Sequence, residues 1–207
     1  MFVIAISIIC IVVPIYRFKK NLFDSEGYLM HTLPVKPHTH ITSKLIVAVV
    51  CQVIGAIVAI LSAAVFLILA GAFQELDLTL VKEAFDMVMA DYRNEVIICS
   101  IEIILLYLGY LVHTNMVFFS AISIGHSANK HKVAKSVGVY IGIFFAEQFI
   151  SSVISKVLTD FDNPLNTFGI EHWYHFILIV PIIGNVLFTV ALYALTNYFM
   201  KAKLNLQ

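Results

Sequence analysis

Charged residues are scarce in this 207-residue chain. Only 13% of its residues are Asp, Glu, Lys or Arg, whereas 60% are apolar. Soluble globular domains carry about 25% charged and about 45–50% apolar residues, so this composition excludes an ordinary soluble domain. The formal net charge is zero, and the sequence has no basic tail or basic domain. A nucleic-acid-binding protein is therefore also excluded.

Catalytic and nucleotide-binding motifs are missing as well. Neither GxxxxGK[ST] nor GxSxG occurs, so the chain carries no P-loop and no hydrolase nucleophile elbow. The cysteines, Cys10, Cys51 and Cys99, form no CxxC pair and are interpreted as buried free thiols. No HExxH occurs, and the histidines are interpreted as surface or interface residues. This interpretation fits His113 least well, because His113 lies within a span. We expect no enzyme activity, no catalytic residue, no metal site and no cofactor bound by this chain.

Long apolar runs, in contrast, are abundant. A helix needs about 20 apolar residues to cross a bilayer. A shorter run at 2–16 lacks the basic start and the small-residue cleavage site of a signal peptide, so it is interpreted as a further span. The sequence thus predicts an all-α fold, a polytopic transmembrane helix bundle forming one domain over 1–207. Its five predicted spans are 2–16, 45–73, 96–124, 137–158 and 176–200.

Basic residues are distributed unevenly between the predicted loops. Ten Lys and Arg residues lie in 17–44, in 125–136 and in the C-terminal tail, whereas 74–95 and 159–175 contain two between them. By the positive-inside rule, the first group is cytoplasmic and the second external. We therefore expect a multi-pass protein of the cell membrane with a cytoplasmic C-terminus. The N-terminus would lie outside, which favours one more helix upstream.

Two loops have helical patterns of their own. The cytoplasmic loop 17–44 begins with aromatic and leucine residues mixed with charges, which predicts a short interfacial helix. In the external loop 74–95, Val81, Phe85 and Val88 recur at helical spacing, which predicts an amphipathic helix.

Polar residues within the spans are the candidate functional residues. Ionisable groups at membrane depth are costly and face protein or water. We interpret the polar residues within the spans as lining a substrate path. The alternative is that they form a structural hydrogen-bond network between helices, and this alternative is favoured for Glu102. The predicted span 137–158 carries small residues at intervals of four, Gly138, Gly142 and Ala146, which favour close packing of this span within the bundle. The residues assigned to the path are Glu102, Glu147, Gln148, Ser151 and Ser155.

The first cytoplasmic loop resembles that of a known family. It carries an acidic residue and a glycine, a Leu–Thr–Leu–Pro-like stretch, and a lysine that opens the next helix. This pattern is similar to the loop of ABC-2-type transporter permeases, the membrane subunits of bacterial ABC exporters. The resemblance implies spans two to six of that family, without its N-terminal amphipathic helix and first transmembrane helix. The matching residues are Glu26, Gly27, Leu29, Thr32, Leu33, Pro34, Val35, Lys36 and Lys44.

The resemblance implies an ATP-driven exporter in which this loop docks on a separate ATPase subunit. ATP and magnesium would then bind to that ATPase, and a second permease subunit, identical or different, would complete the transporter. An ion-coupled carrier that uses Glu147 and a membrane scaffold or binding protein are the alternatives. The residues implied to couple to the ATPase are Phe23, Glu26, Gly27, Tyr28, Leu29, Thr32, Leu33 and Pro34.

Overall fold

The computed structural model describes residues 2–23, 36–71, 78–128, 130–160 and 170–202. No strand occurs among these residues, and the predicted all-α fold is confirmed for them. The helices are α1 (Phe2–Phe23), α2 (Pro37–Leu69), α3 (Leu78–Asp91), α4 (Arg93–His126), α5 (Lys132–Asp160) and α6 (Ile170–Ala202).

Four of these helices, α2, α4, α5 and α6, are long and apolar enough to cross a membrane. Most of their large apolar side chains are exposed on the outside of the bundle, as lipid-facing residues are. The chain is therefore a multi-pass α-helical membrane protein. Helix α1 differs because its apolar part ends at Tyr16, after which Arg17, Lys19 and Lys20 follow within the same helix.

The helices extend beyond most limits of the predicted spans, and two boundaries have a clear structural cause. Helix α2 ends at Leu69, before the predicted limit at residue 73, because Gly71 adopts a left-handed φ of 71°. The Gly71 N–H then donates to the Ile68 carbonyl at 3.1 Å, which closes the helix end. Helix α1 continues past residue 16 to Phe23 without a break, since Phe18 and Leu22 are fully buried against the bundle.

The buried core lies in one half of the bundle. It takes the C-terminal halves of α1, α4 and α6 and the N-terminal half of α2. Phe18 of α1 stacks on Phe119 of α4 with ring centroids 3.8 Å apart and an interplanar angle of 5°. The core consists of Phe18, Leu22, Ile41, Ala48, Met116, Val117, Phe119, Ile122, Leu192 and Met200.

Polar contacts inside the same half tie α2, α4 and α6 together. The Asn115 side-chain amide donates to Gln52 Oε1 at 2.7 Å, and Gln52 Nε2 lies 3.5 Å from Asn115 Oδ1. Ser120 Oγ lies 2.8 Å from Thr196 Oγ1, and both residues are fully buried. At membrane depth these groups have no water to bond, so pairing them removes a cost that each alone would carry.

The two ends of the bundle differ in charge. The end of the bundle that holds the core is called here the basic end. Its turns and helix ends carry the Lys and Arg residues at 17–23, 36–44, 130–135 and 201. The opposite end, called the acidic end, contains α3, the starts of α4 and α6 and the end of α5. At this end, no residue is buried between Arg93 and Gly109 in α4 or between His175 and Ala191 in α6.

Helix α5 is the least enclosed of the four membrane-crossing helices. Between Lys132 and Val157 it has no buried residue. The predicted close packing at Gly138 and Gly142 is wrong for the described part of the chain, where no atom of a neighbouring helix lies within 4 Å of the position of an added Cβ at either residue. Cys51, expected to be buried, is exposed on α2, whereas Cys10 and Cys99 are partly buried.

Candidate functional site

A cleft of about 270 Å³ separates α4 from α5 within the membrane-crossing part of the bundle. Its wall combines aromatic rings with one carboxylate, one imidazole and one side-chain amide. The lining residues are Tyr110, His113, Thr114, Val117, Phe118, Tyr140, Phe144, Glu147 and Gln148.

Two contacts near the basic end fix how α5 lies on α4. At Gly125 an added Cβ would overlap Ser136, with the Ser136 Cα only 2.6 Å away, so glycine lets the two backbones approach closely. Farther from the basic end, the Phe118 ring of α4 and the Tyr140 ring of α5 stack with centroids 5.0 Å apart and an interplanar angle of 11°. The helices are antiparallel, and this register brings Glu147 opposite His113.

His113 connects three helices. Its Nε2 lies 3.4 Å from Glu147 Oε2 on α5, and its Nδ1 lies 3.4 Å from Thr189 Oγ1 on α6. The side chains of His113 and Glu147 are 15% and 21% exposed, so both are sheltered without being sealed. Both nitrogen atoms of the imidazole therefore face a polar partner.

Glu147 has one oxygen that is not satisfied. Its Oε1 is buried and has no hydrogen-bond partner among the described residues. A carboxylate oxygen buried in this way accepts a proton, a hydrogen-bond donor or a cation. Because Glu147 lines the cleft, such a group would enter from the cleft.

The contact between α4 and α6 is a polar ladder along two parallel helices. Both the His113–Thr189 and the Ser120–Thr196 pair join residues 76 positions apart, as expected when two helices run in the same direction. The seven-residue step from His113 to Ser120 and from Thr189 to Thr196 is that of a left-handed helix pair. This ladder holds His113 towards the cleft.

Glu102 lies outside the cleft. At the acidic end, its two carboxylate oxygens lie 2.9 Å and 2.8 Å from His175 Nδ1 of α6. Of the residues predicted to line a path, only Glu147 and Gln148 line the cleft. Ser151 and Ser155 lie on the exposed surface of α5.

The residues implied to couple to an ATPase lie mostly outside the described residues. This applies to Glu26, Gly27, Tyr28, Leu29, Thr32, Leu33 and Pro34. Phe23 is described, at the end of α1, where its ring lies 5.0 Å from the His126 ring of α4 and 5.9 Å from that of Phe18.

Sequence reasoning did not predict the partners of the two carboxylates. Each one contacts a histidine of a neighbouring helix, Glu147 with His113 and Glu102 with His175. A usable signal was present, because a carboxylate within a span needs a donor and these histidines lie in or beside spans at matching depth. Comparison with protein-family models, with curated proteins and with solved structures gave no match.

Proposed function

We propose that this chain is the membrane-spanning permease subunit of an ATP-driven exporter, whose ATPase is a separate protein. The observation that carries the transport proposal is the cleft between two membrane-crossing helices, which Glu147 lines and beside which one of its carboxylate oxygens is buried without a hydrogen-bond partner among the described residues. Polar cavities at membrane depth are costly to build and typical of a transport path. The absence of ATP-binding motifs from the sequence agrees with an energy source on another chain.

The proposal includes the orientation of the chain. The basic end would face the cytoplasm, α1 would cross as a fifth span and the C-terminus would lie inside. The helix α3 would lie outside the membrane, on the far surface. A reporter fused to the C-terminus that is active only in the cytoplasm should be active, and its inactivity would refute this orientation.

Coupling to the ATPase would use the segment 17–44. Its first residues continue α1, and the buried Phe18–Phe119 stack joins them to α4. Phe119 lies six residues from His113, or about 9 Å along the helix at about 1.5 Å per residue. Movement of the loop would therefore reach the cleft through one continuous helix, packed at its basic end too tightly to absorb the motion.

An ion-coupled carrier is the second candidate, and the 3.4 Å contact between His113 and Glu147 favours it. A carboxylate and an imidazole in contact at membrane depth can take up and release a proton as the cleft changes its access. In this alternative no ATPase is required.

Capture of the ATPase tests the coupling step. The tagged full-length chain is expressed in its source cells, purified in mild detergent and assayed for a co-purifying ATPase. We expect capture by the wild type and at least a tenfold loss, about 1.4 kcal/mol, on changing Glu26→Ala and Leu29→Ala together. The matched control changes Leu80→Ala and Glu83→Ala, an exposed pair with the same spacing on α3, and should retain capture. Failure of the wild type to capture any ATPase would refute the proposal.

Proton uptake distinguishes the two candidates. The purified chain is reconstituted in liposomes that contain a pH-sensitive dye, and a pH gradient is applied without ATP. The exporter proposal expects no proton flux above that of empty liposomes. Proton flux that disappears on Glu147→Gln would instead establish the carrier.

A further inference from the structure

We propose that Cys99, Glu102 and His175 form a binding site for one divalent transition metal ion of the zinc class. One potential ligand atom from each residue lies within 4.8 Å of the other two. The site would join α4 to α6 at the acidic end, and it is independent of the proposed transport function. The sequence had indicated no metal site, because two of the three residues stand on one helix and the third lies 73 positions away from Glu102.

Helix geometry brings the three side chains together. Cys99 and Glu102 are three residues apart on α4, so they share one face of that helix. His175 lies in the parallel helix α6, and its Nδ1 lies 2.8 Å from Glu102 Oε2. The Glu102 and His175 side chains are only 12% and 20% exposed, so little water competes for these ligands.

The ligand set matches the preferences of zinc. Thiolate sulfur, imidazole nitrogen and carboxylate oxygen bind Zn²⁺ at about 2.3 Å, about 2.0 Å and about 2.0–2.2 Å, respectively. Three protein ligands of this kind leave a fourth tetrahedral position open to water or to a small ligand. Calcium and magnesium are disfavoured because they prefer oxygen ligands alone.

Charge balance favours a metal ion at this depth. A thiolate and a carboxylate together carry two negative charges, and neutral imidazole adds none, so a divalent ion makes the site neutral. Neutrality lowers the cost of placing the ion near a bilayer. Binding would release the thiol proton of Cys99, and the ion would replace the direct hydrogen bond between Glu102 and His175.

A hydrogen bond alone explains only part of the arrangement. The Glu102–His175 contact is a complete helix-to-helix hydrogen bond without any ion. It does not explain why the sulfur of Cys99 faces the same point. The metal proposal uses all three residues, and the experiment must therefore separate metal binding from the bond between two of them.

Cobalt(II) titration provides that separation, because Co²⁺ substitutes for Zn²⁺ and a thiolate–cobalt bond absorbs in the near ultraviolet. The full-length protein in detergent is treated with chelator and then titrated with Co²⁺ alone. We expect the band to saturate at one ion per chain and Zn²⁺ to displace it. Cys99→Ser should abolish the band, and His175→Gln should weaken Co²⁺ binding by at least about tenfold.

The matched control is Cys51→Ser, which removes an exposed thiol on α2 and should leave the titration unchanged. Zn²⁺ should also slow alkylation of Cys99 by at least about tenfold, but not that of Cys51. This second measurement uses the wild-type chain and does not depend on how well a variant folds. An absent band, a band that persists in Cys99→Ser, or equal alkylation of Cys99 with and without Zn²⁺ would overturn the proposal.

Discussion

The two halves of this bundle are held together by different means. The basic half has a packed core in which rings stack and amide and hydroxyl groups are buried in pairs. The acidic half has no buried residue in the described parts of α4 and α6, and the contacts between those helices there include the Glu102–His175 hydrogen bond and the approach of Gly109 to Asn185. The comparison indicates that the basic half fixes the arrangement of the helices, whereas the acidic half contributes less to it.

The cleft lies where the two halves meet. His113 lies two residues from Leu111, which is the last buried residue of α4 towards the acidic end. Movement of the acidic half relative to the basic half would therefore change the shape of the cleft first. Substitutions in each half can test whether the stability of the bundle divides in this way.

The largest effect is expected for Phe119→Ala. Removing the ring leaves a cavity against Phe18, and we expect the free energy of unfolding to fall by about 3 kcal/mol. The cost arises from lost packing, because lipid offers the unfolded chain an apolar surrounding as well. Denaturant titration of the protein in mixed micelles measures it. Phe149→Ala, which truncates a ring 70% exposed, should change the same quantity by less than about 0.5 kcal/mol.

A somewhat smaller loss is expected for Gly125→Ala. The added methyl group would overlap Ser136 and push the start of α5 away from α4, which should cost about 2 kcal/mol. Gly142→Ala is the matched control, since no neighbouring helix lies near its Cβ position, and it should stabilise the helix by about 0.5–1 kcal/mol. Thermal unfolding followed by circular dichroism compares the two. Equal losses for both would show that the close approach at Gly125 is unimportant.

Breaking the buried amide pair should cost less. Asn115→Leu leaves Gln52 without its partner, and we expect a loss of about 1 kcal/mol, within the range measured for hydrogen bonds between membrane helices. Changing Gln52→Leu in addition removes the unsatisfied group and should recover part of that loss. A double-mutant cycle measures the coupling between the two residues. Strictly additive losses would contradict the pairing.

The smallest effect is expected in the acidic half. In metal-free protein, Glu102→Gln replaces the carboxyl group by an amide that His175 can still contact, so we expect a loss of about 0.5 kcal/mol. The same denaturant titration applies, with chelator present throughout. A loss larger than that of Phe119→Ala would reverse the comparison, because the acidic half would then hold the bundle together.

Hydropathy predicted the membrane-crossing helices because each carries its own signal. The runs at 45–73, 96–124, 137–158 and 176–200 all lie within or overlap helices long enough to span a bilayer. The run at 2–16 also lies in a helix, α1, yet its apolar part is short and the basic residues follow directly. Its crossing stays a prediction.

The candidate site was only half predictable for a physical reason. Glu147 and Gln148 stood out because polar side chains within a span are costly. Their neighbours depend on the rotation of α5 about its axis, which the Gly125–Ser136 approach and the Phe118–Tyr140 stack determine. Those contacts depend on how one helix is rotated relative to another, and the hydrophobic periodicity of a single helix does not give that rotation.

The open position of α5 has a mechanical consequence. A membrane helix satisfies its own backbone hydrogen bonds, and the residues of α5 between Lys132 and Val157 are exposed or half-buried. A tilt of this helix about the point where Gly125 meets Ser136 would leave its backbone hydrogen bonds intact, but it would break the Phe118–Tyr140 stack and the His113–Glu147 contact. Because Glu147 lies about 16 Å from that pivot, at about 1.5 Å per residue, a tilt of a few degrees would move its carboxylate by about 1 Å.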